Sequence, residues 1–147
     1  MINMMFDKLK ELRDYEAKTQ RETAGLLNVT RATYAGWESG KDIIPLRKLN
    51  ELANIYSVSM DYLVGLEEKP EKRNHKIELR EDAISDHIKE IRSQNHLSQE
   101  ELANSINTSQ SNIHKYETNK TLITTMYAIE LAKTYQYSLE QLIQKRK

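Results

Sequence analysis

The chain contains no cysteine, four glycines, two prolines, one phenylalanine and one tryptophan in 147 residues. Without thiols there is no disulfide framework and no thiolate nucleophile or metal ligand. The four histidines lack zinc-site spacing with acidic partners, so no metal and no cofactor is expected. There is no Gly-rich phosphate loop, nucleophile elbow or cluster of catalytic acids, which argues against an enzyme. No apolar run reaches about 18 residues, and the opening Met1-Ile2-Asn3-Met4-Met5-Phe6 is too short and too soon charged for a signal peptide. The expectation is a soluble cytoplasmic protein that does not engage a membrane. Charge of one sign is also missing, since Lys+Arg and Asp+Glu number 22 each. Sequence-independent affinity for nucleic acid comes mainly from Lys and Arg neutralising phosphates, so this neutrality lowers the expected non-specific binding.

What is present is a repeat. Residues 7–63 reappear at 86–142 with a constant shift of 79 and no gap, and 17 of the 57 positions are identical. Each copy, at about 65 residues, is near the lower limit for a self-sufficient core. A period this long lets each copy fold alone, unlike short solenoid repeats that must stack. The expected organisation is a first domain over 1–66, a connector over 67–81 and a second domain over 82–147. The connector is crowded with charge and carries Pro70 and Asn74, the composition of a solvated coil. As a flexible chain it would span roughly 20 Å on average and up to about 50 Å when extended.

Within each copy the spacing predicts five short helices and no strand, an all-α fold. Phe6, Leu9 and Leu12 recur at helical spacing. Thr19-Gln20-Arg21-Glu22 and Ser98-Gln99-Glu100-Glu101 have the capping-box form, in which a hydroxyl accepts from the backbone three residues on and a glutamate reaches back. The second helix ends at Asn28 or Asn107, a residue that tolerates the left-handed turn conformation. Thr30 or Ser109 caps a third helix whose Tyr34 and Trp37, or Ile113 and Tyr116, face inward. Pro45 suits the first turn of a fourth helix, Thr124 caps its counterpart, and Ser59 or Ser138 opens a fifth.

In both halves these residues resemble the Cro and phage-repressor (XRE) type of helix-turn-helix domain. In copy one the resemblance rests on Leu12-Arg13, Thr19-Gln20-Arg21-Glu22, Ala24, Asn28-Val29-Thr30, Trp37-Glu38-Ser39-Gly40-Lys41, Pro45, Leu52-Ala53 and Ser59-Met60-Asp61-Tyr62-Leu63. In copy two it rests on Ile91-Arg92, Leu97-Ser98-Gln99-Glu100-Glu101-Leu102-Ala103, Tyr116-Glu117 and Ser138-Leu139-Glu140-Gln141-Leu142. It implies two tandem lambda-repressor-like domains whose partner is double-stranded DNA, each laying its third helix in a major groove.

The resemblance also assigns roles. Base reading falls to Thr30, Arg31, Ala32, Thr33 and Gly36 in copy one, and to Ser109, Gln110, Ser111, Asn112 and Lys115 in copy two, with Gln110 or Asn112 suited to adenine. Gln20 and Gln99, with Lys41 and Lys120, would hold phosphates. Arg13 with Glu38, and Arg92 with Glu117, would be structural ion pairs. His114 lies near the reading face; His75, His87 and His96 read as surface residues, and Lys145-Arg146-Lys147 as a solvated tail.

Copy one departs from the family in Thr23, where leucine is preferred, and in its small Ala32, Ala35 and Gly36. Copy two has Asn119 and Thr124 in place of Gly and Pro in the loop. The expected function is a sequence-specific transcriptional regulator, a repressor of bacterial or phage type reading two unlike half-sites with centres about 34 Å apart or a multiple. The alternative is a protein-interaction module, antitoxin-like or an adaptor, in which one or both copies serve homodimerisation or dock a protein partner. Neutral net charge leaves that alternative open.

Overall fold

A computed structural model describes residues 6–145; Arg146 and Lys147 of the expected tail, and Met1 to Met5 of the opening segment, lie outside the described residues. The chain divides into two compact units, Met1–Ile77 and Glu78–Lys147. Among the described residues the first unit holds α1 (Asp7–Tyr15), α2 (Gln20–Leu26), α3 (Arg31–Ser39), α4 (Leu46–Tyr56) and α5 (Met60–Leu63). The second holds α6 (Glu81–Gln94), α7 (Gln99–Ser105), α8 (Gln110–Glu117), α9 (Thr125–Tyr135) and α10 (Leu139–Leu142). The all-α expectation is met twice over.

Each core is built from the apolar stripes of its own helices. In the first unit Phe6, Leu9, Ala24, Leu27, Tyr34, Trp37, Leu49, Leu52, Met60 and Leu63 are buried. Tyr34 meets Trp37 edge to face, with ring centroids 6.1 Å apart. In the second unit Ile88, Ile91, Leu102, Ile106, Ile113, Tyr116, Ala128, Leu131 and Leu142 take matching places. Burying a side chain of leucine size contributes roughly 1.5–3 kcal/mol, so a handful of such residues per helix outweighs weak intrinsic helicity.

The helix starts are set by side-chain caps. Thr19 accepts from the Glu22 N–H at 3.0 Å while Glu22 accepts from the Thr19 N–H at 2.9 Å. Ser98 and Glu101 repeat this at 3.1 and 2.9 Å. Thr30 and Ser109 each accept from the backbone three residues on at 3.1 Å. Two expected starts differ in detail. Pro45 stands at the N-cap just before α4, with extended ψ, and Thr124 occupies the same place before α9 without a capping bond from its hydroxyl. Buried Thr23, the departure from leucine, donates its hydroxyl to the Thr19 carbonyl at 3.2 Å and so satisfies itself within α2.

The repeat extends to backbone conformations that the residue types hide. Positive φ angles occur at Ala17 and His96, Asn28 and Asn107, Gly40 and Asn119, and Ser57 and Gln136, four pairs each separated by the 79-residue shift. Asn119 thus does what Gly40 does, which resolves the apparent loss of the loop glycine in the second copy.

The segment between the repeats departs from the expected free coil. Val58 and Lys72 form an isolated antiparallel bridge, with Ser59 N–H donating to the Glu71 carbonyl and Arg73 N–H to the Ser57 carbonyl, both at 3.0 Å. Buried Arg73 donates to Asn50 Oδ1 and Asn54 Oδ1 at 2.8 Å, and the two asparagine amides bond the Ile77 carbonyl at 2.9 and 3.0 Å. Residues through Ile77 are therefore a strap on α4. Beyond it, the Arg80 N–H donates to the Ile143 carbonyl at 2.9 Å. Ile129 and Lys133 stand where Asn50 and Asn54 would be repeated in the second unit, and neither carries the side-chain amide that holds the strap.

His87 also departs from its expected surface place. It is buried, its Nδ1 is 3.1 Å from the Leu142 carbonyl, and its ring leans on Tyr137 with centroids 5.6 Å apart. His75, His96 and His114 are exposed. Lys145 is not a bare solvated residue either, since its ammonium lies 3.2 Å from Asp82.

Candidate nucleic-acid interface

In each unit a helix, a tight left-handed turn and a second helix follow one another: α2, Asn28 and α3, then α7, Asn107 and α8. Tyr34 and Trp37, or Ile113 and Tyr116, turn one side of the second helix into the core. The opposite side faces outward, with Arg31 and Ala32 exposed on α3 and Ser111 and Lys115 on α8.

That outward side is held in place by a brace. Arg13 on α1 reaches the end of α3, with Nε donating to Glu38 Oε2 at 2.6 Å and Nη2 to Oε1 at 3.1 Å. Gln20, the first residue of α2, donates its amide to Glu38 Oε1 at 3.2 Å. Arg92, Glu117 and Gln99 reproduce the set at 2.8, 3.1 and 3.2 Å. One carboxylate thereby joins three helices. For Glu38, burial pushes the pKa up, but the Arg13 guanidinium, followed by the nearby Tyr34 hydroxyl and the Gln20 amide, outweighs it and holds the carboxyl below the usual range. A further tie comes from Lys48, whose ammonium donates to the Leu27 carbonyl at 2.8 Å and closes the end of α2. Lys48 stands in the first turn of α4 and meets the end of α2 only in space, so no local pattern in the sequence marks it.

The expected base-reading residues separate into those left outward and those already engaged. Arg31, Ala32 and Thr33 are exposed, as are Gln110, Ser111 and Lys115. The hydroxyls of Thr30 and Thr33 bond each other at 2.9 Å, and that of Ser109 is taken up in capping. Asn112 donates its amide to Thr108 at 2.8 Å, which commits it to the helix start and leaves Gln110 as the more accessible amide. Gly36 is the one that does not reach the surface. It is buried, because the loop after α3 folds Asp42 over it.

The expected phosphate residues divide in the same way. Lys41 and Lys120 are exposed just beyond α3 and α8. Gln20 and Gln99 are half-buried, and each spends one amide N–H on the brace, leaving its second for another acceptor. Among the described residues no group of three or more His, Asp or Glu side chains is placed to hold a metal ion, and no helix is long and apolar enough to cross a membrane.

The helix-turn-helix family profile matches residues 9–63 and again 88–142, most of the chain. The chain belongs to the helix-turn-helix family. This membership, of the XRE type and in tandem, agrees with the resemblance carried by the two capping boxes and the two ion pairs. The chain is 32% identical over 78 residues to the uncharacterized HTH-type transcriptional regulator YobD of Bacillus subtilis, covering 53% of this chain and 70% of that one. It is 37% identical over 76 residues to the HTH-type transcriptional regulator AnsR of the same organism, covering 52% and 66%. With the HTH-type transcriptional regulator ImmR, also of Bacillus subtilis, it shares 31% over 90 residues, 61% of this chain and 69% of that one. Each alignment is longer than one helix-turn-helix match here and shorter than two. No solved structure matches the chain.

Proposed function

We propose that this helix-turn-helix protein is a sequence-specific DNA-binding transcriptional regulator of the cytoplasm, a repressor that works by occupying its site. In this reading α3 and α8 each enter a major groove, whose width admits a helix and whose floor presents a distinct donor and acceptor pattern for every base pair. The observation that carries it is the sidedness of the two helices. Tyr34, Trp37, Ile113 and Tyr116 are buried, while Arg31 on one helix and Gln110 on the other stand exposed near the helix starts. Arg31 suits guanine O6 and N7, and Gln110 suits adenine N6 and N7. Because the two helices expose different side chains, the two half-sites are unlike. Lys41 and Lys120, together with the remaining amide N–H groups of Gln20 and Gln99, supply phosphate contacts that fix register without choosing sequence.

The test is selection of bound duplexes from a random-sequence pool. Two unlike blocks of preferred bases are expected, with Arg31→Ala flattening one and Gln110→Ala the other. Lys120→Ala should weaken all sequences alike and reduce the salt slope by about one. Failure to retain any duplex at low salt, with a protein partner co-purifying instead, would replace this reading by the docking one.

A further inference from the structure

The loop after α3 places a carboxylate on the reading side of the first unit. At 100° per residue, positions 32, 36 and 39 fall within about 60° of each other, on the side away from Tyr34 and Trp37. Gly36 therefore belongs to the outward face, yet it is buried. The Asp42 N–H donates to the Gly36 carbonyl at 3.1 Å, and the side chain folds back so that a Cβ built on Gly36 would lie 2.8 Å from Oδ2 and 3.7 Å from Cγ. Asp42 itself remains exposed, so its carboxylate occupies the place where a side chain at position 36 would project.

The second unit keeps the loop and inverts the charge. The matching residues are Lys115 and Thr121, and the Thr121 N–H again points at the position-115 carbonyl, at 3.5 Å. Lys115 is exposed. At one spot of a repeated surface the first unit thus presents a carboxylate and the second an ammonium. A carboxylate can only accept, so in a major groove it is suited to an amino group and opposed by the O6 and N7 acceptors of guanine, the O4 of thymine and the phosphates; adenine sets its N7 acceptor beside its amino group, which leaves cytosine as the better partner. An ammonium can only donate and has the reverse preference.

We infer that Asp42 is a specificity-determining residue of the first unit, accepting from a cytosine amino group at one position of its half-site. This rests on the proposed seating of α3 in the groove. Gly36 is part of the device, because its missing side chain is what lets the carboxylate lie against the helix.

Two variants of the full chain test it. Asp42→Asn keeps the shape and removes the charge. Gly36→Ala adds a methyl that pushes the carboxylate tip aside, and alanine in a helix interior favours helix more than glycine does, so folding is preserved. Both are assayed by duplex selection and by competition with single-base-pair substitutions. The expected result is that the wild type prefers a C·G pair at one first-unit position, and that both variants lose about tenfold or more of that preference at the same position while every second-unit position is unchanged. A wild type that binds but whose base profile neither variant alters would overturn the inference alone, as would a uniform gain in affinity for all duplexes, the mark of simple repulsion. A wild type that binds no duplex would overturn the groove seating, and Asp42's role with it.

Discussion

The Glu38 carboxylate receives two donors of the Arg13 guanidinium, at 2.6 and 3.1 Å, and a third hydrogen bond from Gln20. The pair is well shielded, with side-chain exposures of 11% for Arg13 and 5% for Glu38, whereas Arg92 of the matching pair is 29% exposed. Removing one partner of a buried pair strands the other charge, at about 3–5 kcal/mol. Arg13→Ala should therefore fall in that range and Arg92→Ala below it, because water can solvate Glu117 through the gap that Arg92 leaves. Trp37 is the single tryptophan, so its fluorescence in urea follows the first unit of the intact chain while circular dichroism follows both. Equal losses for the two variants would contradict the ranking.

The same carboxylate makes the first unit acid-sensitive. The folded pKa of Glu38 is depressed, so its contribution is fully present above the ordinary glutamate value of about 4.3 and is lost as pH falls through the folded value. Glu38→Gln should be less stable than wild type at pH 6, and the gap should close below about pH 4. A gap that stays constant down to pH 3 would show that the ionisation of Glu38 carries no stability.

Left-handed backbone at Ala17 and His96 costs both units alike, since a Cβ crowds the carbonyl there. Glycine at either position removes the crowding and should stabilise its own unit by up to about 1 kcal/mol despite the greater entropy glycine loses on folding. Urea titration of Ala17→Gly by Trp37 fluorescence checks the first unit. A loss of stability would mean that the Ala17 methyl makes contacts worth more than the strain.

The two cores, the capping boxes and the ion pairs are legible in the sequence because each signal is local or is written twice in register. Arg13 with Glu38, and Arg92 with Glu117, have the same 25-residue separation, and both pairs form. What escapes the sequence depends on where a loop runs. The charged stretch containing Arg73 has the composition of solvated chain, and its guanidinium is buried where it meets Asn50 and Asn54, a meeting no local pattern announces. His87 follows Asp86 in sequence but shares a helix face with Ala83, Ile84 and Ile91, and turns toward the Leu142 carbonyl in space. Gly36 looks like a gap in the outward face of α3 until the path of the next loop brings Asp42 over it.

The strap on α4 leads to the last prediction. Its ladder through Val58 and Lys72 is a single bridge, too short to persist alone, so the Arg73 contacts to the asparagines must hold it. Arg73→Ala takes that donor from the buried Asn50 side-chain carbonyl oxygen, at about 1–3 kcal/mol for a buried acceptor left unsatisfied, while Asn54 Oδ1 keeps its bond from the Ile77 N–H. Asn54→Ala breaks the strap from the other side by removing both its acceptor and its bonds to Ile77. Either change should raise the rate at which a lysine-specific protease cuts at Lys72 and Lys76 by about tenfold or more, since cleavage follows the population of locally opened chain. Cutting at Lys76 gives the direct comparison with wild type, because Arg73→Ala also changes the residue that follows Lys72. Unchanged cutting at these sites would mean that the segment opens freely already and that the asparagine contacts do not hold it.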